Sequence, residues 1–146
     1  ETKGLLLIPD IIIREGKYVL IIDAKNYNYN NNEEYDNNLP STPDIVKQLF
    51  YKHFFIKNSN NANEIDEKTI INVFLLPSTS LKESIQYIGK HIMARTEANY
   101  NSSNDILLFH INFFKLRENY ITPKKEYRDK IINYILKEYK ENIKNI

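Results

Sequence analysis

The stretch IPDIIIREGKYVLIIDAKNY, residues Ile8 to Tyr27, reads as two apolar strands joined by a short polar link. Leu5 to Ile13 is the first strand and Lys17 to Lys25 the second, with Arg14-Glu15-Gly16-Lys17 between them. Glu15-Gly16 is an acceptable two-residue hairpin loop, although Asn-Gly is a stronger one. Both strands are apolar on both faces, which predicts a central, covered place in a sheet. Asp10, Asp23 and Lys25 interrupt these apolar surroundings. A buried carboxylate is costly unless it is paired or holds a metal.

Register turns those charges into a candidate site. With Glu15 and Gly16 as the loop, Arg14 faces Lys17, Asp10 faces Ile21 and Asp23 faces Ile8. Alternate side chains share a face, so Asp10, Ile21, Asp23 and Lys25 lie together. Asp10 and Asp23 become diagonal neighbours, about 7–8 Å apart at the backbone. Two carboxylates at that range can share a divalent ion, and a one-residue slip would separate them. Hard oxygen ligands, with the Ala24 backbone carbonyl as a third, suit Mg²⁺ or Mn²⁺. Such an ion acidifies a water and neutralises charge on a phosphoryl oxygen. Lys25 can orient or deprotonate that water, or stabilise the phosphate as it reacts.

Residues 26–41 are polar and Asn-rich and read as a loop. Its tyrosines offer faces on which bases can stack. A helix follows. Ser41 or Thr42 can cap it, Pro43 suits its first turn, and Asp44 suits the positive end of its dipole. Ile45, Val46, Leu49, Phe50 and Phe54 give an apolar helical spacing that should end near Lys57. Asp44, Gln48 and Tyr51 share the polar side.

Further on, Thr69 to Leu76 reads as a buried strand closed by Pro77. Ser84 to Arg95 leans towards a strand, Ile106 to Asn112 is another, and Phe113 to Tyr120 is a short helix. Lys124 to Ile143 is a long amphipathic helix with Ile131, Ile132, Ile135, Leu136 and Tyr139 on one side. The order β-β-α-β-β-β-α-α predicts an α/β fold, a mixed central sheet flanked by helices.

The 146 residues suit one domain, 1–146, expected to be a piece of a longer chain because the opening ETKG lacks an initiator Met. No apolar run is long enough to span a membrane. The chain has no cysteine, which excludes disulfides and thiolate zinc sites and fits a reducing cytoplasm. A net charge of +1 does not by itself announce nucleic-acid binding. The segment 115–146 is more basic, with nine Lys and Arg against five Asp and Glu. His53, His91 and His110 lack metal-ligand spacing; His53 reads as a core-edge residue and His110 as an interior one. No G-x-S-x-G or G-x-x-x-x-G-K-[ST] motif is present.

Pro9-Asp10, then twelve residues, then Asp23-Ala24-Lys25 resembles the PD-(D/E)XK nuclease superfamily. The apolar lead YVLII into Asp23 and the helix with Gln48 and Tyr51 fit the same resemblance. Its commoner helix pattern is Gln-x-x-x-Tyr, whereas here Lys52 takes the fourth place. Over Leu5 to Ile56 the segment looks most like LlaJI-type restriction endonucleases and is similar to McrC-like subunits. The resemblance implies a Mg²⁺-dependent DNA endonuclease of a bacterial, cytoplasmic restriction system, with double-stranded DNA as substrate. Asp10 and Asp23 would hold metal, Lys25 would assist the water, and Gln48 would be auxiliary. Lys47, Tyr51 and Lys52 are candidate DNA contacts. A separate AAA+ GTPase subunit would drive the nuclease, and a homodimer would cut both strands. Many superfamily members add a Glu from an upstream helix, and Glu1 is the only acid before Asp10. The alternatives are a repair or recombination nuclease of this restriction-endonuclease-like core, or a catalytically silent module that binds DNA or a partner.

Overall fold

The computed structural model describes residues 9–25, 40–59, 66–91 and 104–143. The expected strand segment 5–8, the Tyr-rich loop and Glu1 lie outside them. Five strands form one mixed sheet: β1 (Ile11–Glu15), β2 (Tyr18–Ala24), β3 (Ile70–Ser78), β4 (Ile85–His91) and β5 (Ile106–Asn112). Three helices accompany it: α1 (Thr42–Asn58), α2 (Phe113–Ile121) and α3 (Lys125–Ile143). The sheet order is β1-β2-β3-β5-β4. β2, β3 and β5 run parallel at its centre, and β1 and β4 pair antiparallel at its edges. This is the α/β architecture expected from the sequence.

Parallel central strands need cover on both faces, so they read as continuous apolar runs. On one face Leu20, Ile22, Ile71, Val73, Leu107, Phe109 and Ile111 pack against Ile131, Ile132, Ile135, Leu136 and Tyr139 of α3. The apolar stripe read from the sequence of α3 is therefore the stripe that is buried. On the other face Val19, Ile21 and Ile70 meet Tyr51 of α1, while Phe74, Ile106 and Leu108 meet Ile45.

Two expectations change at β1. It is an edge strand rather than a covered one, and Ile11 and Ile12 are 43% and 46% exposed. Apolar composition gave β1 and β2 the same signature, but only β2 has a neighbour on each side. The hairpin loop is Gly16-Lys17, because Glu15 pairs with Tyr18 and Ile11 with Ile22. Gly16 has φ +56° and no non-glycine residue described has positive φ. Glycine at the first central position is what a type II′ loop requires, and Glu15 in that place would be strained. A Cβ on Gly16 would touch nothing within 4 Å, so a substitution there meets backbone strain alone. Gly16→Ala is expected to lower stability by about 1 kcal/mol in urea unfolding.

Pro77 lies within β3 rather than closing it. Pairing with β2 ends at Ala24 and Leu75, so β3 is unpaired on that side where proline sits and a missing N–H costs little there. In β4 the register shifts between Tyr87 and Gly89, and Gly89 (φ +149°) takes the irregular backbone.

Candidate active site

β2 carries Asp23 near its end, and Lys25 follows it. The observed loop moves the expected pairing by two residues. An even shift keeps every side chain on its face but changes its partner. Continued one step beyond Ile11 and Ile22, the register sets Asp10 directly opposite Asp23 rather than diagonal to it. The Ala24 N–H confirms the closeness by donating to Asp10 Oδ2 at 3.1 Å. In regular strand geometry a residue directs its N–H and C=O to the same neighbour, so the Ala24 carbonyl faces the Asp10 side as well.

Asp23 is 2% exposed, whereas Asp10 is exposed. Burial raises the Asp23 pKa above its ordinary value. Lys25 works against that shift, and the neighbouring Asp10 carboxylate adds to it. Lys25 Nζ lies 2.7 Å from Asp23 Oδ2 and 3.0 Å from Asp44 Oδ1. Burial opposes the lysine's charge, but the two carboxylates outweigh it and hold the pKa well above the usual lysine range.

α1 brings Asp44 to this point. Ser41 is its N-cap, and Asp44 closes a capping box: Ser41 Oγ lies 2.5 Å from Asp44 Oδ2, which also accepts from the Ser41 N–H at 3.2 Å. One turn further, Gln48 is fully buried and its Nε2 donates to the Ile21 carbonyl at 2.7 Å. The helix is thus fixed to β2 at two levels, one beside Lys25 and one beneath Asp23.

The helix is turned about its axis from the apolar spacing read in the sequence, and of that spacing Ile45 and Leu49 reach the core. Its buried residues are Ile45, Gln48, Tyr51 and Lys52, while Val46, Phe50 and Phe54 are 55%, 48% and 54% exposed. The polar residues face the sheet because the ion pair and hydrogen bond above hold them there. Among the candidate DNA contacts, Tyr51 is buried against Val19, Ile21 and Ile70, and Lys52 is 2% exposed. Neither presents a surface to a phosphate in this arrangement. Lys47 is half-buried, with its Nζ 5.5 Å from the centre of the Tyr51 ring. His53 is exposed, not at the core edge, and His110 is buried within β5.

The sequence puts Asp44 on the helix, and its contact with Lys25 adds it to the site. The signal was its position four residues before Gln48 on one side of α1. The burial of Lys52 had no such signal.

Among the described residues no three His, Asp or Glu side chains converge as a ready-made metal cluster. The donor set at β2 is smaller: two carboxylates and one backbone carbonyl, all oxygen. Such a set fits Mg²⁺ with water completing its shell, since Mg²⁺ is usually held by one or two carboxylates. Two opposed carboxylates, one buried, are also an arrangement that a cation relieves. No helix among the described residues is long and apolar enough to cross a membrane.

A mixed sheet that sets Asp23 and Lys25 at the end of β2, with Asp10 opposite just before edge strand β1, is a frame suited to hydrolysis at a phosphate. Comparison with known proteins gives the family. The LlaJI restriction endonuclease family matches residues 3–111, and the chain belongs to it. It is also 37% identical over 87 residues to the type II restriction enzyme BsuMI component YdjA of Bacillus subtilis (strain 168). That match covers 57% of this chain and 17% of the relative. No solved structure matches.

Proposed function

We propose that the chain is the nuclease module of a bacterial restriction system, a Mg²⁺-dependent enzyme of the PD-(D/E)XK type that hydrolyses phosphodiester bonds in double-stranded DNA. The observation that carries this reading is buried Asp23, with Asp10 opposite it and Lys25 2.7 Å away. Family membership supports the restriction context. The relative is named as a component, which supports an enzyme built from several chains. A McrB-like GTPase subunit as the motor, a homodimer for double-strand cleavage and a cytoplasmic location belong to the same proposal.

Asp10, Asp23 and the Ala24 carbonyl would hold the ion. When bound, it would acidify a water and offset charge on the scissile phosphate. Asp10 is exposed and can reach a cation arriving from solvent, while Asp23 is held in the sheet. Lys25 keeps its proton at neutral pH, because Asp23 and Asp44 hold its pKa up. Its role is therefore to donate a hydrogen bond that orients the water and to place positive charge beside the phosphate. Gln48 holds the Ile21 carbonyl, which fixes the strand two residues before Asp23. Lys47 is the remaining candidate for a phosphate contact.

The test is metal binding measured by calorimetry with Mn²⁺ and Mg²⁺. The wild-type chain is expected to bind one ion, and Asp23→Ala to lose at least tenfold in affinity. Equal binding by both proteins would remove Asp23 from the site.

A further inference from the structure

Asp44 has a role that the capping of α1 does not require. A capping box uses a side-chain acceptor at the third helical residue, and Asp44 Oδ2 supplies it by accepting from the Ser41 N–H. The other oxygen, Oδ1, lies 3.0 Å from Lys25 Nζ. Lys25 is therefore gripped from two elements, by Asp23 on its own strand and by Asp44 on the helix. All three side chains are largely shielded: Lys25 is 18% exposed, Asp44 19% and Asp23 3%.

This matters because Lys25 and a metal ion compete for Asp23. The ammonium sits 2.7 Å from Asp23 Oδ2, on a carboxylate that the nuclease reading gives to the cation. Lysine is a flexible four-carbon stem carrying a compact charge. With Asp23 as its only anchor it would either block the ion or, once displaced, lose its direction. Asp44 offers a second anchor on a rigid helix, which the Gln48 bond to Ile21 fixes to the same strand. The ammonium can give up Asp23 without leaving the site.

We propose that Asp44 is the positioning residue for Lys25: it holds the ammonium beside the site while Asp23 turns to the metal. The proposal rests on the nuclease reading. Asp44 acts through Lys25 and touches neither metal nor substrate.

A double-mutant cycle on the full chain tests it, with Mn²⁺ affinity as the readout. Asp44→Asn keeps an acceptor for the Ser41 N–H and removes the charge that holds Lys25. In the wild-type background it is expected to weaken Mn²⁺ binding about tenfold, because the ammonium then rests on Asp23 alone. In a Lys25→Met background the same change is expected to cost less than twofold. Asp44→Glu is expected to recover most of the affinity. Circular dichroism checks that each variant keeps its helix content. An equal loss in both backgrounds would overturn the proposal and leave Asp44 as a cap or a general negative charge. No loss in either background would overturn it too. If Asp23→Ala leaves Mn²⁺ affinity unchanged, the nuclease reading itself fails, and the role of Asp44 falls with it.

Discussion

Asp23→Asn is expected to lower the rate of metal-dependent DNA cleavage about a thousandfold while leaving the protein folded. The substitution keeps the shape of a side chain that is 2% exposed and removes the charge that would hold the ion. Its effect on stability has the opposite sign to its effect on activity. The Asp23 pKa is raised in the fold, with burial as its first cause. A carboxyl raised in this way adds stability below its unfolded pKa and loses that contribution as pH rises through its folded pKa. Above that range the ionised carboxylate is a burden on the metal-free fold. Asp23→Asn should therefore melt no lower than wild type at pH 7.5 without metal. Saturating Mg²⁺ should raise the melting temperature of wild type and leave the variant unchanged, because a ligand stabilises only the state that binds it. A variant that melts well below wild type without metal would show Asp23 to be a structural ion-pair partner of Lys25.

A second large effect is expected at Lys52, away from the chemistry. This lysine is 2% exposed on the sheet-facing side of α1, and burial pushes its pKa down to about 8 despite the fields of Glu67, Asp105 and Asp66. The unfolded chain keeps the ordinary lysine value near 10.5. Between those two values the unfolded state binds the extra proton, so the contribution of Lys52 to stability rises with pH from about 8 to 10.5. Below pH 8 the folded protein carries the full penalty of a buried charge, up to about 3 kcal/mol at 1.36 kcal/mol per pKa unit. Lys52→Met keeps an unbranched side chain one atom shorter and removes the charge. The variant is expected to be more stable than wild type by about 1–3 kcal/mol at pH 7, and the difference should shrink as pH approaches 10.5. Urea unfolding at pH 7, 8.5 and 10 measures it. A variant less stable than wild type at pH 7 would mean that the ion pairing of Lys52 outweighs its burial.

Lys52 and its helix also show what the sequence made legible. The long apolar runs of β2, β3 and β5 and the stripe on α3 were plain, because burial of a continuous surface leaves a continuous signal. The presence of α1 was equally plain from Ser41, Pro43 and Asp44. Its orientation was not. Val46, Phe50 and Phe54 form the spacing that usually points inward, yet they are exposed, while Asp44, Gln48 and Lys52 point towards the sheet. Local hydropathy cannot anticipate a helix turned by Lys25 and by a backbone carbonyl of another strand.

The carboxylate pair shows a milder version of the same limit. Alternation put Asp10 and Asp23 on one face with Lys25, and the face was right. The opposition of the two was not, because the loop falls at Gly16-Lys17 and the register moves by two. The positive φ that glycine tolerates decides that loop, and the spacing of charges does not report it. Had the shift been odd, Asp10 and Asp23 would lie on opposite faces of the sheet.

If Asp10, Asp23 and Lys25 form a metal-dependent nuclease site, the chain should cleave supercoiled plasmid. The wild-type chain and Lys25→Ala, purified identically, would be compared with Mg²⁺ or Mn²⁺ and with chelator. Wild type is expected to nick or linearise the plasmid and to lose that activity with chelator, and Lys25→Ala to lose at least a hundredfold. Equal cleavage by the two proteins, or cleavage that survives the chelator, would contradict this assignment of the site.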